Sequence, residues 1–191
     1  SMMPKPFADQ PGSGMHMHVT LWDGPVHDRH GDARNLFVPH RSDGAVDANR
    51  QLSPLGCQFA AGVLAHSASL CALAAPTVNS YKRLTLDETL PGNDWAPVCI
   101  AHGANNRTAL LRTLHSRFEW RLPDASANPY LASAALIAAG LDGIERQLAL
   151  PAAVDDDLFA MSPAALQARG IALLPRHLDE ALDALAADSV L

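Results

Sequence analysis

The chain has 191 residues, which suits one domain or one domain with a tail, and 48% of them are hydrophobic, enough for a sizeable core. A formal net charge of −6 argues against nucleic acid or an anionic membrane as the main partner, while leaving room for a small basic pocket. Three cysteines, Cys57, Cys71 and Cys99, show neither metal-ligand spacing nor a disulfide framework, which favours a reducing cytoplasm; no signal peptide heads the chain.

The first eleven residues run straight into a motif without an opening element, and Leu191 stops inside a helical pattern. Both ends read as those of an excised fragment. Residues 14–22 alternate: Met15, Met17, Val19 and Leu21 share one face, and His16, His18, Thr20 and Trp22 the other, which predicts a strand. Residues 23–45 read as a loop or weak hairpin. Ser53-Pro54 is a helix start, an N-cap followed by proline, and the Ala/Leu-rich helix runs to about residue 75, where Pro76 stops it. Gln58, His66, Ser67 and Ser69 interrupt its apolar run, so it reads as a core helix rather than a membrane span.

Residues 77–97 look irregular, 98–101 form a short strand, and 108–114 and 117–122 form two more. Asn128-Pro129 starts a helix through about residue 148. Ser162-Pro163 starts a short one ending near Gly170, and a last amphipathic helix covers about 177–188. The predicted fold is α+β, a curved, mostly antiparallel sheet backed on one face by the 53–75 and 128–148 helices. Residues 1–150 make the core and 151–191 a helical tail packed on it.

Two segments carry chemistry. Gly12-Ser13-Gly14 leads into a strand that presents His16, His18 and Thr20 at period two. Glycines permit a tight turn and close approach of a ligand, and imidazoles ligate divalent metal or meet phosphate oxygens. Incidental surface histidines are the bland alternative. In Arg117-Phe118-Glu119-Trp120-Arg121, Arg117, Glu119 and Arg121 share a face. Guanidinium groups flanking a carboxylate suit a site that holds anions and a metal together; by itself the pattern fits a surface salt-bridge ladder better. Asn105-Asn106-Arg107 with Arg112, and Tyr81-Lys82-Arg83, say little alone. His66 reads as a helix-core or helix-edge histidine.

In this order the segments resemble the glutamine synthetase family. The matching blocks are Lys5-Pro6 with Gly12 to His18, residues 75–84, 106–112 and 117–144, the last containing Arg-Phe-Glu-Trp-Arg-Leu-Pro-Asp-Ala-Ser-Ala-Asn-Pro-Tyr-Leu. The type III-like branch, which includes γ-glutamylmethylamide synthetases, matches into the tail. The resemblance implies an ATP-dependent ligase that joins the γ-carboxylate of L-glutamate to ammonia through γ-glutamyl phosphate, with Mg2+ or Mn2+, in a cytoplasmic homo-oligomer. It places His16 and Glu119 on the metal, and His18, Arg107, Arg112 and Arg117 on phosphates. Thr20 would meet the nucleotide, Arg107 is the catalytic residue, and Gly12, His16, Arg83 and Arg121 hold glutamate.

The chain departs from the family pattern in four places. Pro11 stands where an asparagine is usual, the segment after Arg83 is longer, and Phe159 replaces a tyrosine that some members adenylylate. The N-terminal sheet domain and its metal-binding glutamates are missing. The fragment alone is therefore expected to be inactive. Methylamine or another small amine is the alternative acceptor. Ammonia-using members carry a glutamate before an Ala-Pro pair, but Ala96-Pro97 is preceded here by Trp95, which cannot take a proton and could line a drier slot for a methyl group. Asp87, Glu88 or Asp94 could supply the carboxylate instead. A non-catalytic nucleotide- or metal-binding module is the reading from another class.

Overall fold

A computed structural model describes residues 2–24, 33–39, 51–86 and 96–191. Four short strands make one open sheet: β1 (Met17–Val19), β2 (His102–Ala104), β3 (Leu111–Leu114) and β4 (Arg117–Trp120), in the order β1-β4-β3-β2. β4 runs antiparallel to both its neighbours, and β2 runs parallel to β3. Alternation sorts the two faces. Phe118 and Trp120 are fully buried on one side of β4, with Leu111 of β3 beside them. Glu119 and Arg112, opposite each other in the ladder, point to the other side.

Helices pack on the apolar face. They are α1 (Pro54–Ala65), α2 (Ser67–Ala74), the single turn α3 (Val78–Tyr81), α4 (Pro129–Glu145), α5 (Pro163–Ala168) and α6 (Leu178–Ala187). The three Ser/Asn-Pro starts cap as expected. Ser53 Oγ accepts from the Gly56 amide at 3.0 Å, Asn128 Oδ1 from Tyr130 and Leu131, and Ser162 Oγ from Ala165. Phe37, Phe59 of α1 and Phe118 of β4 meet with ring centroids 5.5–6.0 Å apart. α1 crosses α4 closely enough that a Cβ on Gly62 would lie 2.1 Å from the Ala139 carbonyl oxygen.

Three expectations need correction. The helix of residues 53–75 is two helices bent by 72° at His66. The His66 ring nitrogens meet Asp142 at 3.0 Å and Asp188 at 2.7 Å, and Ser67 Oγ turns back onto the Val63 carbonyl; a side chain drawn off the helix and a back-bonding serine both favour a bend. Among the described residues no single helix is long and apolar enough to cross a membrane. α1 and α2 would suffice only together, and they are buried against α4 and α6.

The strand expected at 98–101 begins instead at His102. Residues 98–100 are taken by the tail: Leu174 donates to the Val98 carbonyl and Ile100 to that of Ala172, leaving one isolated bridge, Cys99 to Leu173. α4 stops at Glu145, not near 148, because Gln147 adopts a left-handed φ of 52°. Of the loop at 23–45, residues 25–32 and 40–45 lie outside the described residues. What is described pairs Trp22 with Asn35.

Candidate active site

The polar face of the sheet gathers the histidines and arginines around one carboxylate. The register sets His18 directly opposite Glu119. His16, two residues earlier on the same side, puts Nε2 3.4 Å from Glu119 Oε1, and the two imidazoles meet edge to face at 5.5 Å. One donor atom each from His16, His18 and Glu119 lies within 4.8 Å of the others. The family resemblance paired His16 with Glu119 as metal ligands and gave His18 to phosphate; the structure sets all three in one donor group.

Glu119 is only 2% exposed, and a buried carboxylate needs partners. Arg112 Nη1 donates to Oε2 at 2.9 Å and Arg121 Nη1 to Oε1 at 3.2 Å. Burial pushes the carboxyl pKa up, but the hydrogen bond from Arg112 and the charges of Arg121, His16 and Arg112 outweigh it and hold it below the ordinary range. Arg112 is held in turn by Asn105, whose Oδ1 accepts from Nε and Nη2. Asn105 sits at φ 55°, in the left-handed region that asparagine tolerates. Sequence reasoning missed Asn105; an asparagine doublet ahead of an arginine was its only signal.

Arg121 feels the positive charges of Arg112 and Arg107, which with burial, the larger effect, lower its pKa. Arg107 is exposed on the turn before β3, and Arg117 is exposed on the Glu119 side of β4 by alternation. Thr20 lies exposed just past β1, where its Oγ1 accepts from the Trp22 indole at 3.0 Å. Trp95 lies outside the described residues.

The Gly12–Gly14 turn is held by backbone bonds to the N-terminal segment and to the stretch after β4: Ser13 to Pro4, Met15 to Pro123 and Ala125 to Ser13. Arg83 runs beneath it, 6% exposed, and donates to the carbonyls of Leu122 (3.1 Å), Pro123 (3.2 Å) and Arg121 (3.3 Å). A Cβ on Gly14 would come within 3.1 Å of the Arg83 guanidinium, and one on Gly12 within 2.5 Å of the Pro4 carbonyl oxygen. The glycines are therefore needed for space. Arg83 thus bonds to the 121–123 backbone just after β4 and lies against Gly12 and Gly14.

Glu119 thus meets His16, Arg112 and Arg121 and lies opposite His18, while Arg107, Arg117 and Thr20 are exposed. The family model described as glutamine synthetase, catalytic domain, matches residues 1–191, the whole chain. The chain belongs to the glutamine synthetase family. It is 47% identical over 191 residues to a glutamate–methylamine ligase of Methyloversatilis universalis, and 42% identical over 196 to a glutamine synthetase of Halobacterium salinarum. Each alignment covers 100% of this chain, and 40% and 39% of those proteins. A solved GmaS–ADP complex superposes with a TM-score of 0.80 at 41% identity, and apo GmaS with 0.75 at 39%. They too span all of this chain, which covers 40% and 39% of theirs. This glutamine synthetase-family chain therefore spans about two fifths of the length of its relatives.

Proposed function

We propose that this chain supplies the cation- and phosphate-facing part of an ATP-dependent ligase that joins the γ-carboxylate of L-glutamate to an amine. The observation that carries the reading is a nearly buried carboxylate, Glu119, set between two imidazoles and two guanidinium groups on one sheet face. The donors fit a divalent cation. A carboxylate oxygen and imidazole nitrogens within 4.8 Å of one another suit Mn2+, while Mg2+ prefers an all-oxygen shell and would rely on waters and phosphates for the rest. His16 and Glu119 would hold the ion, which when bound supplies Lewis-acid stabilisation of phosphoryl oxygens.

The chain's own groups do the remainder. Arg107, Arg112, Arg117 and His18 bind phosphate oxygens and offset the charge that develops as the γ-phosphoryl group passes to glutamate, with Arg107 nearest to a catalytic role. Thr20 meets the nucleotide. Gly12, His16, Arg83 and Arg121 face glutamate, with Arg83 anchored on the 121–123 backbone. Three free cysteines fit a reducing cytoplasm. Further carboxylates would come from the rest of the polypeptide or from a neighbouring copy in a homo-oligomer.

Methylamine is the acceptor we favour. Identity to the glutamate–methylamine ligase, 47%, exceeds the 42% to the Halobacterium glutamine synthetase, and Trp95 replaces the glutamate expected before Ala96-Pro97. Ammonia is the second reading, carried by the several glutamine synthetases at 40–42% identity. The test is to measure phosphate release by the full-length polypeptide with ATP, glutamate and each amine in turn, before and after Trp95→Glu. A higher kcat/KM with methylamine, shifting toward ammonia in the variant, is expected. Preference for ammonia in the unmodified protein would refute the acceptor assignment. No turnover with any amine, despite nucleotide binding, would favour a non-catalytic module.

A further inference from the structure

The turn that carries Arg107 is tied to the tail on both sides of that residue. On one side, Asn106 Nδ2 donates to the carbonyls of Val154 (2.8 Å) and Asp156 (2.9 Å). On the other, Thr108 Oγ1 accepts from the Leu158 amide at 3.0 Å. The two side chains are locked together, because Asn106 Oδ1 accepts from both the amide and the hydroxyl of Thr108, at 2.8 and 2.7 Å. The bidentate use of one carboxamide fixes its rotamer; no other orientation satisfies four bonds. The tail is anchored independently. Val154 and Leu158 are buried in a small apolar cluster with Ala109, and the Val154 amide donates to His102 of β2. Gly103 admits this approach, since a Cβ there would lie 2.2 Å from the Val154 carbonyl oxygen. Arg107 itself stays exposed beside a cleft of about 420 Å3 that it shares with Asp155 and Asp157 of the tail.

The geometry points to Asn106 and Thr108 as positioning residues through which tail residues 154–158 set the place of the phosphate-facing Arg107. Arg107 has no hydrogen bond of its own among the described contacts, so its backbone turn is what aims it. The turn is held from below by Asn105 on Arg112 and from the side by the tail. A ligand, modification or substitution that shifts 154–158 would then move a guanidinium of the site without touching it. The inference deepens the ATP reading above and rests on it for the identity of the anion.

The test uses hydrogen exchange and nucleotide binding on the full-length polypeptide. Asn106→Asp keeps the acceptor for Thr108 and removes both donors to the tail. Thr108→Val removes the acceptor for Leu158, and Thr108→Ser restores it. Asn106→Asp and Thr108→Val are expected to speed exchange of the Val154 and Leu158 amides about tenfold, with α1 and α4 unchanged, and Thr108→Ser to exchange like the unmodified chain. Affinity for trinitrophenyl-ATP should fall in Asn106→Asp by about the factor seen in Arg107→Ala. The double variant should lose little more, as expected of residues acting as one unit. Unchanged exchange at 154–158 in both variants would overturn the coupling, as would a full additive loss in the double variant. If the unmodified chain binds no nucleotide, the ATP reading falls, and the exchange result decides the coupling by itself.

Discussion

Glu119 is the residue on which the candidate site turns. It is 2% exposed and accepts from two arginines, so its charge is present at any pH above its depressed pKa. A lowered folded pKa means the stabilisation is complete above the ordinary value of 4.5 and is lost only as pH falls through the lower folded value. Glu119→Gln removes the charge but keeps the shape. Mn2+ affinity, read by electron paramagnetic resonance of the free ion, should fall at least about tenfold, the scale that even indirect partners of metal ligands command. Unaltered affinity would remove Glu119 from the cation site. Much of this was legible in the sequence, because strand alternation puts His16 with His18 and Arg117 with Glu119 whatever the tertiary fold. Asn105 and Asn106 were not. Their partners are Arg112 and the tail carbonyls, and nothing in an Asn-Asn-Arg string records a left-handed φ or a carbonyl about fifty residues away.

At the level of helices, His66 joins three elements. Both of its partners are carboxylates, so the geometry suits the protonated ring, in which both nitrogens donate. Burial pulls its pKa down, but the hydrogen bonds to Asp142 and Asp188 outweigh this and raise it above 6.5. Asp142 is held low chiefly by the bond from His66. Asp188, against the pull of burial, is held at about 2 by His66 and by backbone amides. For the raised histidine the stabilisation is complete below pH 6.5 and lost as pH climbs through the higher folded value. For the aspartates it is complete above 3.8 and lost as pH falls, near 2 for Asp188. The pin is therefore strongest between about pH 4 and 6.5. His66→Ala should cost about 3 kcal/mol at pH 5.5 by leaving two carboxylates face to face, and less at pH 9. Thermal melts across that range check it; a pH-independent cost would count against the pin. The caps at Ser53, Asn128 and Ser162 were readable because each is a local bond. The break at His66 was not, because its two partners lie 76 and 122 residues further along the chain.

For the molecule as a whole, the tail is woven into the core. Residues 98–100 bond to 172–174, Val154 to His102, and α6 packs on α2. The displaced strand β2 belongs to the same fact: residues read as a strand by composition were claimed by a segment about seventy positions later, which periodicity does not reveal. The metal-competent group among the described residues holds one carboxylate and two imidazoles. Three donors leave much of a divalent cation's coordination shell unfilled. The 191-residue chain alone should therefore show no ligase turnover with either amine, while still melting cooperatively. Robust amide synthesis by this chain would overturn its assignment as part of a larger active site.

The register of β1 against β4 also has a consequence for how the protein is made. Met17–Val19 finds its partner in Phe118–Trp120, so roughly a hundred residues must leave the ribosome after the imidazole pair before the carboxylate that completes it exists. At about 5–20 residues per second that interval lasts several seconds. Throughout it, His16 and His18 are without the strand they face, and the polar face of the sheet does not yet exist. The donor group is thereby a late product of folding, assembled only when the sheet closes around Glu119.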